Sequence, residues 1–490
     1  MPRYSLTVFG ATGFTAKLFC ELLASELRRA DEDEGASPYE ALRKGTNKFT
    51  WALAGRSLPS LQAVADSLGL APERRPALLV ADVNDPESLV GMCRQTVLLL
   101  NCVGPYAFYG GAVLDAVLRA SEEIKAADAS APGVSYLDIT GEPSFIEKSV
   151  LLNHRKAQEL GITVLHSAGF DSVPADIGVL FAKQQLLQRS VQPTSIECFF
   201  QLNSGREGFG IHFATYASAV NGFATRHLLA KTRKALNGLL PRPPKPAAIA
   251  VGLSDGLPRR QTRVPGVLYA PEFKDLSKSH DAAVQRKGTY ALPFFFADPS
   301  VIRLSHALDA DLKTGTPPIK LAMWINVPKL RWLILVIASL SCFGLLASFR
   351  LGRALLLRFP KLFSNGRVSH EGPTRQQIKS TSFLSTLVVR GHTSSTIARA
   401  RDASTSTSTK KAGQPDTRIN VLISGPEPGY DATPLCMLAC VEVMLAPSQR
   451  ALVRHGVLTP SVALGRTRIV DVLAAQAGGV RFTVVDPPQI

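Results

Sequence analysis

Gly10-Ala11-Thr12-Gly13-Phe14-Thr15-Ala16 follows an apolar run and opens an amphipathic one. Gly10 suits a tight turn, Gly13 lets the backbone approach a pyrophosphate, and Ala16 is small enough for a helix to pack closely on a strand. The first turn of that helix leaves N–H groups free at the positive end of its dipole. Residues Gly10, Ala11, Thr12, Gly13, Phe14 and Thr15 are therefore expected to hold the phosphates of a dinucleotide. Gly55-Arg56-Ser57 stands just past the second apolar run. A carboxylate there would bind two ribose hydroxyls. Arg56 and Ser57 instead offer a cation and a hydroxyl to a 2′-phosphate, which favours NADP (NADPH) as cofactor. Asp82 closes the third run, where it either reaches the adenine edge or N-caps the next helix. Asn101-Cys102-Val103-Gly104-Pro105 ends the fourth and is expected to pass over the cofactor.

Hydride transfer that forms an alcohol or a saturated carbon also needs a proton donor. Tyr106, directly after the cofactor loop, is the preferred candidate, with His166 and Asp171 behind it. Each has a structural alternative: a loop-packing aromatic for Tyr106, a strand-end hydrogen-bonding residue for His166, an N-cap or turn former for Asp171. Asp138–Glu142 and the stretch from His166 to Asp176 bring further titratable groups toward the same edge. No metal is expected. The seven cysteines form no C-x-x-C pair, and Cys436 and Cys440, four apart in an apolar run, read as packing. With no secretory leader before the first strand, they are expected to be reduced thiols of an intracellular protein.

To gather these residues at one edge, the chain needs strands alternating with helices. Strands are expected at Ser5–Phe9, Thr50–Ala54, Ala77–Ala81, Val97–Asn101, Ser135–Ile139 and Thr163–His166. Helices are expected at Thr15–Arg29, Leu58–Leu68, Pro86–Gln95, Gly111–Ser121 and Phe145–Leu160. The fold class is α/β: a Rossmann-type doubly wound parallel sheet over residues 1–190, with a second, mostly antiparallel α+β domain over 191–490. Strand-like runs Ser195–Leu202 and Ala291–Phe296 belong to the second part. It closes with helices near Pro434–Leu445 and Pro460–Gln476 and a strand Val480–Val485. The hydrophilic inserts Ala30–Lys48 and Glu122–Gly133 read as surface loops. Stretches near 240–262 and 400–415, rich in Pro or in Ser and Thr, read as disordered.

The formal charge of +16 suits an anionic partner: a nucleotide phosphate, an acidic lipid surface or nucleic acid. Nucleic acid is set aside, because no zinc-finger spacing, RNA-binding signature or aromatic-and-basic ladder is present. Trp332–Phe349 carries no charge and is flanked by Lys329 and Arg331 before it and by Arg350, Arg353 and Arg358 after it. As a helix it would reach about 27 Å, the lower limit for spanning. It is expected to associate with a membrane or lipid droplet from the cytoplasmic face without crossing, the alternative being a buried core helix. A mitochondrial location is compatible with the sequence, and so is a homodimer.

The Gly10 loop, Ala54-Gly55-Arg56, Asn101–Tyr106, Asp138–Glu142 and Gly169–Gly178 resemble successive blocks of the saccharopine dehydrogenase-like oxidoreductases. So do Leu292-Pro293-Phe294 with Ala297-Asp298, Glu371–Arg375, Gly425–Ala432 and Gly456–Pro460. The resemblance implies an N-terminal NAD(P) domain, a sheet-rich second domain, and kinship with saccharopine reductases and with enoyl reductases of complex lipid (glycolipid) synthesis. Gly210-Ile211-His212-Phe213-Ala214-Thr215 departs from the Gly-Gly-Thr turn that such proteins carry, and no set of basic residues for two amino-acid carboxylates can be placed. The expectation is an NADP(H)-dependent oxidoreductase reducing an enoyl or carbonyl group of a lipid-like substrate. Its rivals are a non-catalytic NADP(H)-binding protein on a lipid surface and a saccharopine reductase of lysine metabolism.

Overall fold

Short apolar runs separated by amphipathic ones become, over the first part of the chain, β1 (Tyr4–Phe9), α1 (Phe14–Glu32), β2 (Trp51–Gly55), α2 (Leu58–Ser67), β3 (Ala77–Val80) and α3 (Pro86–Arg94). They continue as β4 (Thr96–Asn101), α4 (Tyr106–Ala127), β5 (Ser135–Asp138), α5 (Pro143–Glu159), β6 (Thr163–Leu165) and α6 (Val173–Leu187). The computed structural model describes residues 3–32, 37–43, 49–257, 268–269, 290–403 and 413–485. The six strands pair in parallel in the order 3-2-1-4-5-6, the dinucleotide-binding order with its switch point at β1. Phe9 lies level with Ala54 on one side and Asn101 on the other, and Asn101 with Asp138, so four strand ends share one carboxyl edge.

The second part contributes β7 (Val191–Asn203), β8 (Ile211–His212), α7 (Phe213–Leu239), β9 (Leu268–Tyr269), β10 (Tyr290–Pro293), β11 (Lys320–Val327) and β12 (Val368–Ser369). After these come β13 (Ser382–Thr393), β14 (Thr417–Pro426), β15 (Gly456–Leu458) and β16 (Arg481–Val485). Seven strands form a sheet in the order 16-14-13-7-11-10-9, antiparallel except for the β7–β11 pair. Helix α6 lies on this sheet so closely that a Cβ at Gly178 would stand 2.2 Å from Ile423 Cδ1.

Several boundaries differ from the sequence reading. Beyond residue 191 the chain does not serve the second sheet alone, since β15 returns to pair with β6 as the seventh strand of the first. Glu122–Ala127 is the end of α4 and not a loop; Glu122 pairs with Lys156, and Glu123 with Arg94 and Arg119. Within Ala30–Lys48, Tyr39 and Leu42 are buried, and the amides of Glu40 and Ala41 donate to the Glu442 carboxylate. Residues 33–36 and 44–48 lie outside the described residues. Pro460–Gln476 is two helices, Pro460–Leu464 and Ile469–Ala475. Of the stretch near 240–262, the described part packs on β7: Thr194 and Ser195 donate their hydroxyls to the Asp255 carbonyl. Residues 258–262 and 404–412 fall outside the described residues. Helix Leu330–Ala347 buries only Leu333 and Ala347, which removes the buried-core alternative.

Candidate active site

The glycine turn is built against the next strand ends. The amides of Gly10 and Ala11 both donate to the Ala54 carbonyl, at 2.9 and 3.3 Å, and Gly13 N–H donates to the Gly10 carbonyl at 2.9 Å. Gly10 has φ +81°, and a Cβ there would stand 2.7 Å from Val103 Cγ2, so the turn and the Cys102–Val103 loop touch backbone to side chain. A Cβ at Gly13 would meet only the Gly10 carbonyl, and Thr12 and Gly13 are exposed, so the space above the turn is open to a ligand. The amides of Phe14, Thr15 and Ala16 belong to the first turn of α1 and have no intrahelical acceptor. The residues present fit a bound pyrophosphate. Phe14 stacks on His212 with ring centroids 4.8 Å apart, so the departure from the family turn lies against the glycine loop.

Arg56 is exposed at the end of β2, two residues past the carbonyl that fixes Gly10 and Ala11, with no partner among the described residues. Ser57 is the N-cap of α2, its Oγ accepting from Ser60 N–H at 3.4 Å. Asp82 does not cap α3; Asp85 does, and Asp82 accepts from the Asn84 amide at 2.9 Å in a turn.

Asn101 and its loop are held from below. Asn101 Oδ1 accepts from Val103 N–H at 3.0 Å, and its Nδ2 donates to Tyr136 Oη at 3.1 Å. Tyr136 donates in turn to Asp138 Oδ2 at 2.8 Å, and His166 Nδ1 lies 2.8 Å from the same oxygen. The amides of Thr140 and Ser167 supply the other Asp138 oxygen. His166 is buried, and its Nε2 has no partner among the described residues. Gly104 is exposed at the loop tip, followed by Pro105 as N-cap of α4.

Tyr106 is buried and donates its hydroxyl to the Asn101 carbonyl at 3.0 Å. Burial first, then the Asp138 charge, push its phenol well above the ordinary range. Its backbone N–H and that of Ala107 are capped by Glu142, itself raised by burial. Asp171 stays in play. Its carboxyl is half-buried, raised by burial to about 6, and a Cβ at Gly141 would stand 3.3 Å from its Oδ2. Beside it Asp298, at the start of helix Asp298–Asp311, is pushed well above the carboxylate range by burial and then by the Asp171 charge. A cavity of about 10 Å³, room for one water, adjoins Asp298, Phe170 and Phe294.

Tyr136 and Asp298 were not singled out from sequence as site residues. Tyr136 reads as one more apolar strand position, and Asp298 as a helix start; only strand pairing brings the first under His166, and only the packing of the two sheets brings the second to Asp171. Phe170 N–H donates to Thr433 Oγ1 at 3.0 Å, and Gly169 abuts the same residue, which ties this loop to helix Thr433–Leu445.

No family model matches the chain. It is 32% identical over 493 residues to a saccharopine dehydrogenase-like oxidoreductase of Rattus norvegicus, covering 99% of this chain and 98% of that one. A lipid droplet localized protein of Caenorhabditis elegans is 27% identical over 97% of each chain. A Mycobacterium tuberculosis protein, named provisionally as a trans-acting enoyl reductase, is 35% identical over 179 residues, 36% of this chain and 35% of that one. Among solved structures, the apo saccharopine dehydrogenase (L-Glu forming) from Saccharomyces cerevisiae aligns with a TM-score of 0.51 at 10% identity. The alignment covers 98% of this chain and 100% of that one, a shared fold.

Proposed function

Because the chain belongs to the saccharopine dehydrogenase-like oxidoreductase family and is an oxidoreductase, we propose that it uses NADPH to reduce an enoyl or carbonyl group of a lipid-like substrate at a lipid surface. The observation that carries the cofactor choice is Arg56, an exposed cation without a partner among the described residues, one strand end from the glycine turn. Its planar donors suit a phosphate, and no carboxylate stands at Gly55, Arg56 or Ser57 to select a free ribose hydroxyl.

Bound NADPH would supply a hydride to an electrophilic carbon. The chain supplies the rest. Residues Gly10–Thr15 orient the phosphates, and Asn101 fixes the covering loop. Asp171 delivers the proton that completes an alcohol or a saturated carbon, since its raised carboxyl can carry one near neutral pH. Asp298 alongside favours the protonated form of the pair. His166, held through Nδ1 by Asp138, presents its free Nε2 as a hydrogen-bonding group under the same edge.

The lipid part is supported by the exposed apolar helix Leu330–Ala347 and by the names of two relatives, one for lipid droplets and one for enoyl reduction. A substrate with two amino-acid carboxylates suits the site less well, because Asp171, with Asp298 beside it, would face it with like charge or with a group that must stay neutral. The test is NADPH oxidation by the purified chain against enoyl-acyl, ketoacyl and saccharopine-type substrates. Turnover of an acyl substrate is expected; turnover of saccharopine alone would replace this reading, and no turnover with NADPH bound would leave a binding protein.

A further inference from the structure

The helix Leu330–Ala347 is pinned to the body at both ends. Near its start Leu333 packs with Leu292 and Val327 of β10 and β11. Near its end Phe343, Leu346 and Ala347 pack with Tyr216, Val220 and Phe223 of α7. These contacts form one stripe, and the rest of the helix faces outward, with Ile334, Leu335 and Leu345 all more than half exposed. A helix attached at both ends to the same side of one body lies flat and does not cross.

The chain that follows extends the same kind of surface. Helix Arg350–Arg358 and the short helix Pro360–Phe363 leave Leu351 (68% exposed), Phe359 and Leu362 (74%) open to solvent, interleaved with Arg350, Arg358 and Lys361. Between Asp311 and Glu371 the sequence holds nine lysines and arginines and no aspartate or glutamate. Among the described residues Arg331, Arg350, Arg353 and Arg358 form no ion pair. An exposed apolar band studded with unpaired cations and free of acids is the composition of an interfacial helix on negatively charged lipid.

Resting on the lipid-surface reading above, we propose that the stretch from Leu330 to Phe363 lies flat in the headgroup region of an anionic phospholipid surface. The leucines and phenylalanines insert and the arginines contact phosphate or carboxylate headgroups. Helix α7 then links this surface to the cofactor loop, since its other side places Ser218 beside Gly104. Bound in this way, the reaction edge stands close to the lipid from which a substrate would come.

Flotation of the purified full chain with vesicles of phosphatidylcholine, or of phosphatidylcholine mixed with phosphatidylserine, tests the proposal. Preferential binding to the anionic vesicles is expected, and it should weaken as salt is raised. Arg350→Gln with Arg358→Gln should weaken anionic-vesicle binding by roughly 30-fold, from about 1 kcal/mol per charge. Leu351→Ser with Leu362→Ser should lower binding to both compositions. Equal binding to the two vesicle types, or binding to neither, overturns the proposal. A concentration-dependent dimer abolished by the leucine variants would assign the face to a second copy of the chain. NADPH titration of the same samples keeps the outcomes separate: its failure removes the cofactor reading and leaves the flotation result standing.

Discussion

Tyr106 gives its hydroxyl to the Asn101 carbonyl at 3.0 Å, so the phenol that follows the loop after β4 is held against the end of that strand. Tyr106→Phe should therefore cost stability, about 1 kcal/mol for one buried hydrogen bond, and leave turnover within about threefold. Denaturant midpoints and kcat measured on the same preparations check this. A large fall in kcat with stability unchanged would return Tyr106 to the proton-donor role.

Arg56 stands past Ala54, whose carbonyl takes both Gly10 and Ala11 amides. Arg56→Ala should weaken NADPH binding by roughly 1–3 kcal/mol, the range of a lost charge-assisted hydrogen bond, and leave NADH binding nearly unchanged. Nicotinamide fluorescence titrations with both nucleotides decide it. Equal losses for the two would take the 2′-phosphate away from Arg56.

What could be read in the sequence was local. The glycine turn, the cation after β2 and the loop after β4 each sit within a few residues of a strand end, and the alternation of strands and helices gives a parallel doubly wound sheet but not its strand order. The chain Asn101–Tyr136–Asp138–His166 could not be read, because its members come from three strands and meet only when Asn101 lies level with Asp138 and Leu137 with Leu165. The return of Gly456–Leu458 to the first sheet was hidden for another reason: three residues are too few to carry a period. The apolar character of Trp332–Phe349 was plain, but its exposure was not, since composition does not say which helices a fold covers.

Asp171 carries a carboxyl raised to about 6 by burial. If it delivers the reaction proton, kcat should fall as pH rises through that value, because the protonated form is the one that acts. Asp171→Asn should lower kcat by roughly 100-fold or more and remove that limb, with NADPH affinity unchanged. A variant that keeps both rate and pH profile would show that the proton comes from elsewhere.

Glu442 offers a test of stability that does not depend on finding a substrate. Its carboxylate, fully buried on helix Thr433–Leu445, accepts the amides of Glu40 at 2.8 Å and Ala41 at 3.0 Å and so fastens the insert after α1 to the C-terminal part of the chain. Burial pushes it from 4.5 up to about 7, against the pull of those two hydrogen bonds. Below the unfolded value both states hold the proton, and the contribution to stability is fully present. As pH rises from 4.5 to about 7 the unfolded chain releases its proton while the folded chain keeps it, so folding binds more protons and stability falls with pH. The loss is complete above about 7 and amounts to roughly 3–4 kcal/mol. Glu442→Gln removes this titration and keeps one acceptor for the two amides. Measured by chemical denaturation, the variant should be the less stable protein at about pH 5 and should recover relative to the wild type by roughly 2–3 kcal/mol at about pH 8. A difference between the two proteins that does not change with pH would mean that the Glu442 carboxyl is already ionised across the whole window, and that its two hydrogen bonds outweigh its burial.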